Sequence, residues 1–441
     1  MGSAGYPGPI GPSWWKKGQK GPFSTSLVRS APDIPHWTPT EIFKKEQTTE
    51  QTISANRHRL SETRRAPPRA VLVGVEVESA TTLWTVNDSL AELDQLARTA
   101  GFEVVGTARQ RMRAPHPATL IGRGKVEEIR EKAADQRAEI VIFDDELSPS
   151  QQRNLEESLK LAVIDRSQVI LDVFAQRART REGRLQVELA AYEYQLPRLA
   201  GAWTHLSRQF GRAATRGGPG ETQLEIDRRD ARQRIGDLKR QIERVREQRQ
   251  LHRDYRRERG MKVAALIGYT NAGKSTLFNA LVRADVSAQN RPFDTLDPTT
   301  RRLALPSGQI ALISDTVGFI QKLPVTLVAS FRATLEELEF ADVLVHVLDV
   351  THPRGYEQGR EVEQVLKDLG IVDKPIVTAL NKIDQLDGVE TLADTATGEI
   401  GTTFRELAAH YPRAVPTSAR RRWGLDALLM EIQSVLVTAS L

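Results

Sequence analysis

Residues 262–281 have the sequence KVAALIGYTNAGKSTLFNAL, in which a short apolar run leads into a glycine-framed turn and then into a helix-forming segment. The turn follows the pattern GxxxxGKS, with Gly268 and Gly273 at its two ends. Glycine at both ends lets the backbone curl so that successive N–H groups point at phosphate oxygens, and the next helix adds partial positive charge at its N-terminus. The stretch therefore predicts a phosphate-binding loop between a buried strand and a helix, as in α/β domains.

Lys274 and Ser275 close this turn and narrow down the ligand. Lys274 is expected to reach the β and γ phosphates of a nucleotide, and the Ser275 hydroxyl is expected where Mg²⁺ lies between them. The pattern thus predicts binding of a magnesium–nucleotide complex.

Asn381, Lys382 and Asp384, in the segment PIVTALNKID, follow an apolar run and are expected to select the base. A carboxylate at Asp384 can accept hydrogen bonds from the N1–H and 2-amino groups of guanine, whereas adenine has neither group. Leaving such a group unpaired costs a factor of about 10⁴ in selectivity, so the segment predicts a guanine nucleotide. The later segment RAVPTSA is expected to complete the pocket with a backbone N–H to guanine O6, through Thr417, Ser418 and Ala419.

Two further segments have the features of nucleotide-dependent switches. In ALISDTVGF, Asp315 is expected to hold Mg²⁺ through water, and the Gly318 N–H to contact the γ phosphate and let the loop reorder when that phosphate leaves. The earlier segment FDTLDPTTRR should supply a threonine hydroxyl to Mg²⁺. Its candidates are Thr295, Thr299 and Thr300, of which Thr295 is favoured, although the sequence alone leaves the three open.

Phe319 follows Gly318 at a position where many GTPases have a glutamine that orients the attacking water. A phenylalanine ring cannot orient water. We therefore expect slow GTP hydrolysis by the isolated protein, and a partner that places the water or supplies a cation.

In their order along the chain, GYTNAGKS, FDTLDPTTR, DTVGF, NKID and TSA resemble the motifs of the HflX family of translational GTPases. Upstream, RGGPGETQLEIDRR resembles the family's glycine-rich loop and following helix, and IGRGKVEEI resembles its N-terminal domain, so the resemblance spans roughly residues 70–436. Two departures are evident. Asp294 occupies a position where the family usually has a small residue, and the loop TRGGPGE is one glycine longer than the common form.

The resemblance implies a function and assigns roles to individual residues. It implies a GTP hydrolase that uses Mg²⁺, binds the rRNA of the large ribosomal subunit, and splits or rescues stalled ribosomes under stress. It places Mg²⁺ ligands at Ser275, Thr295 and Asp315, and catalytic roles at Lys274, Thr295 and Gly318. The implied nucleotide contacts are Gly268, Tyr269, Thr270, Asn271, Ala272, Gly273, Lys274, Ser275, Thr276, Asp315, Gly318, Asn381, Lys382, Asp384, Ser418 and Ala419.

Length and composition limit the class of protein. A chain of 441 residues favours two or three domains. Its 62 Lys and Arg against 57 Asp and Glu give a formal charge of only +5, so a surface that binds nucleic acid would have to be local. The absence of cysteine excludes disulfides and thiolate metal sites. No apolar run approaches the roughly 18 residues that span a bilayer, so we expect a soluble protein. We further expect a monomer in the bacterial cytoplasm, with organelle import less favoured.

The fold class predicted for the chain is α/β in three parts after a tail. Residues 1–68, rich in Pro, Gly, Ser and Thr, are expected to form a disordered tail. Residues 69–184 are expected to form a small parallel α/β domain, because the apolar runs AVLVGVEV, FEVVGTA, EIVIFDD and KLAVID alternate with helices expected at residues 89–99, 125–136, 149–159 and 167–178. In this domain, Gly122, Gly124 and Lys125 could hold an anion, although a glycine turn before a helix explains them equally well.

Residues 185–260 are expected to form a two-helix antiparallel coiled coil, because apolar residues recur at three- and four-residue spacing on both sides of a glycine-rich loop. The loop, residues 211–221, would lie at the tip of an arm roughly 35 Å long, and Pro197 is expected to kink the first helix. Glycines allow close backbone approach and arginines bind phosphates or stack on bases. The predicted RNA contacts are Arg212, Arg216, Gly217, Gly218 and Gly220.

Residues 261–441 are expected to form a doubly wound P-loop GTPase domain, with no further domain after it. Its strands are expected near Val263, Ile310, Val343, Ile376 and Val415, and its helices after Lys274, Val325, Gly355, Thr402 and Gly424.

Two functions remain open from the sequence. The favoured one is a ribosome-associated GTPase whose arm contacts rRNA, and the alternative is a GTP-gated switch whose coiled coil binds another protein. Binding to RNA phosphates releases counterions, so steep salt dependence would distinguish the first from the second.

Overall fold

The computed structural model describes residues 66–78, 84–199, 219–282, 292–293, 295–296, 299–322, 337–396, 402, 405–407 and 409–438. Within these ranges, the side chains of residues 219–224, 252 and 255–257 are not described. Apart from residues 66–68, the predicted tail lies outside the described residues.

The N-terminal domain has a four-stranded parallel sheet in the order β2-β1-β3-β4. Its strands are β1 (Arg69–Val77), β2 (Glu103–Met112), β3 (Ile140–Phe143) and β4 (Ala162–Asp165). The valines, isoleucines and leucines of β1 and β3 are largely buried, as expected for strands covered on both faces. Each of the four apolar runs predicted as a strand forms one.

Three of the four helices of this domain begin at a residue whose side chain caps the helix: Thr85, Ser148 and Asp165. The four helices are α1 (Val86–Ala100), α2 (Arg123–Asp135), α3 (Pro149–Leu159) and α4 (Arg166–Arg177), and they differ from the predicted bounds by at most three residues. Thr85 and Asp88 form a capping box at α1, and Ser148 and Gln151 form another at α3, where Pro149 is the first helical residue.

Two helices form an arm after this domain: α5 (Arg181–Gln195) and the 40-residue α6 (Pro219–Glu258). Three leucines are buried between them, Leu185, Leu189 and Leu238. Glu182, near the start of α5, pairs with Arg249, near the end of α6, so the two helices run antiparallel. At 1.5 Å per residue α6 is about 60 Å long, longer than the arm predicted from the sequence.

Proline residues set two ends of the arm helices. Helix α5 ends at Gln195, two residues before Pro197, because proline cannot donate the next helical hydrogen bond. Helix α6 starts at Pro219, since the fixed φ of proline suits the first turn of a helix, and Gly220 is therefore helical although the sequence placed it in the tip loop. The other predicted RNA contacts, Arg212, Arg216, Gly217 and Gly218, lie outside the described residues.

The C-terminal domain has a six-stranded sheet in the order β10-β9-β8-β5-β7-β6. The strands are β5 (Val263–Gly268), β6 (Thr299–Ala304), β7 (Ile310–Asp315), β8 (Val343–Asp349), β9 (Ile376–Asn381) and β10 (Ala414–Pro416). All neighbours are parallel except β6, which runs antiparallel to β7 at the edge. The five predicted strands are present, and the doubly wound fold is confirmed.

Strand β6 was not predicted, because its sequence TTRRLA is polar and only Leu303 is buried. It contains Thr299 and Thr300, two candidates for the switch threonine. Thr299 and Thr300 pair with β7 as part of this edge strand, and Thr300 Oγ1 donates to Ser314 Oγ at 3.3 Å. Thr295 therefore remains the candidate.

The helices that flank this sheet are α7 (Lys274–Val282), α8 (Gly355–Asp368) and α9 (Leu425–Thr438), with short 3₁₀ turns at Ile383–Gln385 and Leu392–Ala396. Of the helix predicted after Val325, residues 337–339 are described and helical. Residues 402, 405–407 and 409–410 of the helix predicted after Thr402 are helical as well. In the described part of the chain, no helix is both long enough and apolar enough to cross a membrane.

One hydrophobic cluster contains residues of both the N-terminal domain and the C-terminal domain. It includes Leu93 and Phe174 from the first and Tyr269, Phe293 and Phe319 from the second. The two domains therefore share a core beside the phosphate-binding loop.

Candidate nucleotide site

The phosphate-binding loop connects β5 to α7, and two of its positions require glycine. Gly268 and Gly273 have φ values of +151° and +97°, which other residues rarely adopt. A Cβ at Gly268 would lie 2.4 Å from the Val347 carbonyl oxygen, and one at Gly273 would lie 2.4 Å from Asn381 Nδ2. Side chains at these positions would push the loop away from the strands that support it.

Lys274 is buried beneath the loop, where its Nζ donates to the carbonyl oxygens of Gly268 at 3.1 Å and Tyr269 at 2.8 Å. Burial lowers the pKa of Lys274 to about 8, and the nearby Asp315 opposes this shift. A Cβ at Gly318 would lie 2.9 Å from the same Nζ, so the second switch passes directly over the amine. A phosphate group here would stabilise the charged form of Lys274.

Three oxygen-bearing side chains meet beside the first turn of α7. The Ser275 hydroxyl oxygen lies 2.8 Å from Thr295 Oγ1 and donates to Asp315 Oδ2 at 2.7 Å, while Thr295 Oγ1 donates to the same Oδ2 at 2.8 Å. These are the three residues for which the sequence predicted contact with Mg²⁺. They come from α7, the first switch segment and the end of β7.

Asp315 shows that this cluster suits a cation. Its carboxylate is fully buried, and Oδ1 has no hydrogen-bond partner in the described part of the protein. Burial raises the pKa of Asp315, and the hydrogen bond from Ser275 and the charge of Lys274 oppose that shift. Carboxylate and hydroxyl oxygens are the ligands that Mg²⁺ prefers, so the donor set fits this ion.

Asn381 links the phosphate-binding loop to the segment RAVPTSA of the predicted base pocket. Its Nδ2 donates to the Ala272 carbonyl oxygen at 2.9 Å, and the Ala419 N–H donates to its Oδ1 at 3.1 Å. The Ala419 N–H, one of the three backbone groups considered for guanine O6, is thus bonded to Asn381. Lys382 is held by an ion pair of 2.6 Å with Asp349, at the end of β8, which the sequence did not single out.

Phe319 lies against the phosphate-binding loop and is buried. Its N–H donates to the Gly268 carbonyl oxygen at 3.0 Å, and its carbonyl oxygen accepts from the Thr270 N–H at 2.7 Å. The ring packs in the cluster shared by the two domains. The residue after Gly318 therefore contributes packing at this site and no polar side-chain group.

These elements surround a cavity of about 490 Å³. Predicted site residues that line it are Thr270, Asn271, Gly273, Lys274, Ser275, Thr276, Thr295, Gly318, Asn381, Lys382, Asp384 and Ala419. Predicted residues outside the lining are Gly268, Tyr269, Ala272, Asp315 and Ser418. The lining also includes Phe293, Thr316, Gln385 and Arg420, to which the sequence assigned no contact. Phe293 and Thr316 lie inside quoted motif segments but have no predicted role there, and Gln385 and Arg420 directly follow NKID and TSA.

The side chain of Tyr269, one of the predicted nucleotide contacts, faces the N-terminal domain. Its hydroxyl donates to Glu92 Oε1 in the N-terminal domain at 2.5 Å and accepts from the Gln321 N–H at 2.8 Å. Its ring stacks on Trp84 with centroids 5.9 Å apart. Because these partners come from distant parts of the sequence, the loop pattern could not reveal that this side chain faces the other domain.

Near Tyr269, Arg166 is buried between Asp144 and Glu92, with ion pairs of 2.9 and 2.7 Å, and donates to the Gln321 carbonyl oxygen at 3.0 Å. Lys322 also reaches Asp144. These contacts attach the segment after the second switch to the N-terminal domain.

A doubly wound sheet with a glycine-framed loop, a buried lysine and a serine–threonine–aspartate cluster, beside the segments predicted to bind guanine, is typical of a P-loop GTPase. Comparisons with known proteins extend this assignment to the whole chain. Family models match in succession: GTP-binding GTPase N-terminal at residues 87–175, GTP-binding GTPase Middle Region at 177–256, and 50S ribosome-binding GTPase at 263–382.

Curated relatives identify the family. The GTPase HflX of Caldanaerobacter subterraneus subsp. tengcongensis is 44% identical over 377 residues, 86% of this chain and 82% of that protein. The GTPase HflX of Alkalihalophilus pseudofirmus is 48% identical over 336 residues, 76% of this chain and 79% of that protein. The chain therefore belongs to the HflX family of GTPases. Among solved structures, the complex of SsGBP with GDP covers 85% of this chain and 100% of that chain at 22% identity and a TM-score of 0.45.

Proposed function

We propose that this GTPase binds the large ribosomal subunit in its GTP-bound state, contacts rRNA with the arm, and leaves after hydrolysis, in the splitting or rescue of stalled ribosomes in the bacterial cytoplasm. The proposal rests above all on three exposed arginines of α6: Arg229, Arg232 and Arg244. The description of the matching GTPase-domain family as 50S ribosome-binding and the bacterial origin of the curated relatives support it.

In this proposal, the nucleotide bound at the site determines when the protein binds the ribosome. Ser275, Thr295 and Asp315 would hold Mg²⁺, which when bound offsets negative charge on the β and γ phosphates. Thr295 belongs to the first switch, so its contact with the other two ligands brings that segment against the site. Loss of the γ phosphate would release both switches. Phe319 offers no group to orient water, which supports slow hydrolysis until the ribosome is bound.

The base of the arm is fastened to the GTPase domain by charge. Glu337 pairs with Arg253 at 3.1 Å and lies 3.9 Å from Arg249, which in turn pairs with Glu182 of α5 at 2.7 Å. The Arg253 guanidinium also stacks over the Phe340 ring at 4.3 Å. These arginines are engaged within the protein, so they are not available to RNA.

A second set of arginines faces away from the protein. Arg229, Arg232 and Arg244 of α6 are exposed, and the described part of the chain holds no ion-pair or hydrogen-bond partner for any of them. Their spacing places them on one side of the helix, opposite the buried Leu238. A guanidinium group can donate several N–H bonds to a phosphate, so exposed arginines along one side of a helix are suited to RNA phosphates.

Replacing Arg229, Arg232 and Arg244 together by Gln tests the proposal. If each contacts one phosphate, the slope of log affinity against log salt for the large subunit should fall by up to about three, because each contact releases roughly one counterion. Sedimentation with purified subunits and a non-hydrolysable GTP analogue over a salt series gives this slope, and GTP affinity should not change.

The matched control replaces Arg123, Arg137 and Arg302, which are also exposed but lie away from the arm, by Gln. Unchanged subunit binding by the arm variant, or an equal loss in the control, would contradict the proposal. Subunit binding that is insensitive to salt would instead support the alternative, a GTP-gated arm that binds a protein through its apolar face.

A further inference from the structure

Phe293 lies two residues before the proposed magnesium ligand Thr295 and has an unusual backbone conformation. Its φ is +55°, in the left-handed region that a bulky side chain rarely adopts. Its side chain is 2% exposed, and the residue also lines the nucleotide cavity. A strained conformation of this kind persists only where surrounding contacts hold it.

The contact that holds Phe293 comes from the N-terminal domain. The ring of Phe174, in α4, meets the Phe293 ring edge to face, with centroids 4.5 Å apart and an angle of 69° between the planes. Phe174 is 1% exposed and belongs to the cluster shared by the two domains. Leu296, on the other side of Thr295, is buried in the same cluster. Phe293 and Leu296, which lie before and after Thr295 in the described switch, are thus both buried in a core to which the N-terminal domain contributes.

We infer that Phe174 is a positioning residue for the GTPase site: it holds Phe293, and through it keeps Thr295 beside Ser275 and Asp315. The N-terminal domain then completes the first switch, and a shift of α4 would withdraw Thr295 from the cluster. This inference rests on the proposed magnesium role of Thr295. It explains why Phe293 is strained, since its ring packs against the other domain while Thr295 contacts Ser275 at the start of α7.

Replacing Phe174 by Leu tests this inference with little change in volume. An edge-to-face aromatic pair contributes about fivefold to an equilibrium, so F174L should weaken binding of a fluorescent non-hydrolysable GTP analogue by about fivefold in Mg²⁺. Binding in EDTA should stay unchanged, because Thr295 acts only through the ion. Affinity for GDP should change less than twofold, since the first switch is ordered through the γ phosphate.

Phe143 provides the matched control. It is fully buried in the same domain, but its cluster contains only residues of that domain. F143L removes the same ring without touching the switch, so it should leave the magnesium dependence of analogue binding as in the parent protein. The double variant F174L/F293L should lose no more analogue affinity than the weaker-binding single variant, because both substitutions remove the same contact between the two rings.

The outcomes separate this inference from the magnesium proposal. If T295A does not reduce analogue binding in Mg²⁺, the proposed ligand role fails. If T295A reduces it but F174L behaves like F143L, or if F174L weakens binding equally in EDTA, Phe174 only fills the core and the inference is wrong.

Discussion

Asn381 belongs to a motif associated with guanine, yet in this structure its side chain joins two loops of the protein. Replacing Asn381 by Ala removes both hydrogen bonds and leaves the buried Ala272 carbonyl oxygen and Ala419 N–H without this partner. A buried polar group that loses its partner costs about 1–3 kcal/mol, so two such groups should lower the free energy of unfolding by about 3 kcal/mol. For a domain of about 150–250 residues, this corresponds to a fall of about 6–12 °C in Tm.

The assay is thermal unfolding of the nucleotide-free protein, followed by titration with fluorescent GDP. GDP affinity should also fall, by about tenfold or more, because the loops that Asn381 joins line the cavity on both sides. Thr378, in the same strand, is the control: it is fully buried and its Oγ1 has no partner among the described residues, so T378V should shift Tm by less than about 2 °C. A Tm for N381A close to that of T378V, with unchanged GDP affinity, would refute the reasoning.

Two further substitutions test other parts of the GTPase domain. Asp384→Asn should lower GTP affinity by a factor of about 10³–10⁴ and raise affinity for xanthosine triphosphate, whose carbonyl at position 2 can accept a hydrogen bond from the amide. Competition binding measures both affinities. An unchanged preference for guanine would exclude Asp384 from base recognition. His346 is buried in β8, and burial, with the charge of Lys274, lowers its pKa to about 4 from 6.5. Since His346 of the unfolded chain takes up a proton at a higher pH than His346 of the folded chain, stability is lost as the pH falls from 6.5 towards 4, by about 2 kcal/mol at pH 5. His346→Leu should remove this part of the pH dependence of Tm. An equal fall of Tm with pH in the variant would assign the pH dependence to other groups.

The sequence was sufficient for the features that depend on local pattern. A doubly wound sheet with a phosphate-binding loop at the end of a strand was predicted from the GxxxxGKS turn, the DxxG and NKID segments and their flanking apolar runs. This was possible because buried strands require runs of apolar residues and the turns require glycine at fixed positions. Strand β6 escaped prediction because an edge strand of polar residues has no such pattern. Among the three candidate threonines, the sequence favoured Thr295 without excluding the others.

Only the tertiary structure decided how the two domains share the site. Tyr269 and Phe293 belong to the GTPase domain, but their partners Glu92 and Phe174 lie more than a hundred residues earlier in the chain. Nothing in the order of residues indicates such pairs, because contacts between domains are set by the packing of whole surfaces. The motifs therefore determined which chemistry this protein performs, and the packing of the N-terminal domain against the switches determined what holds the site in place.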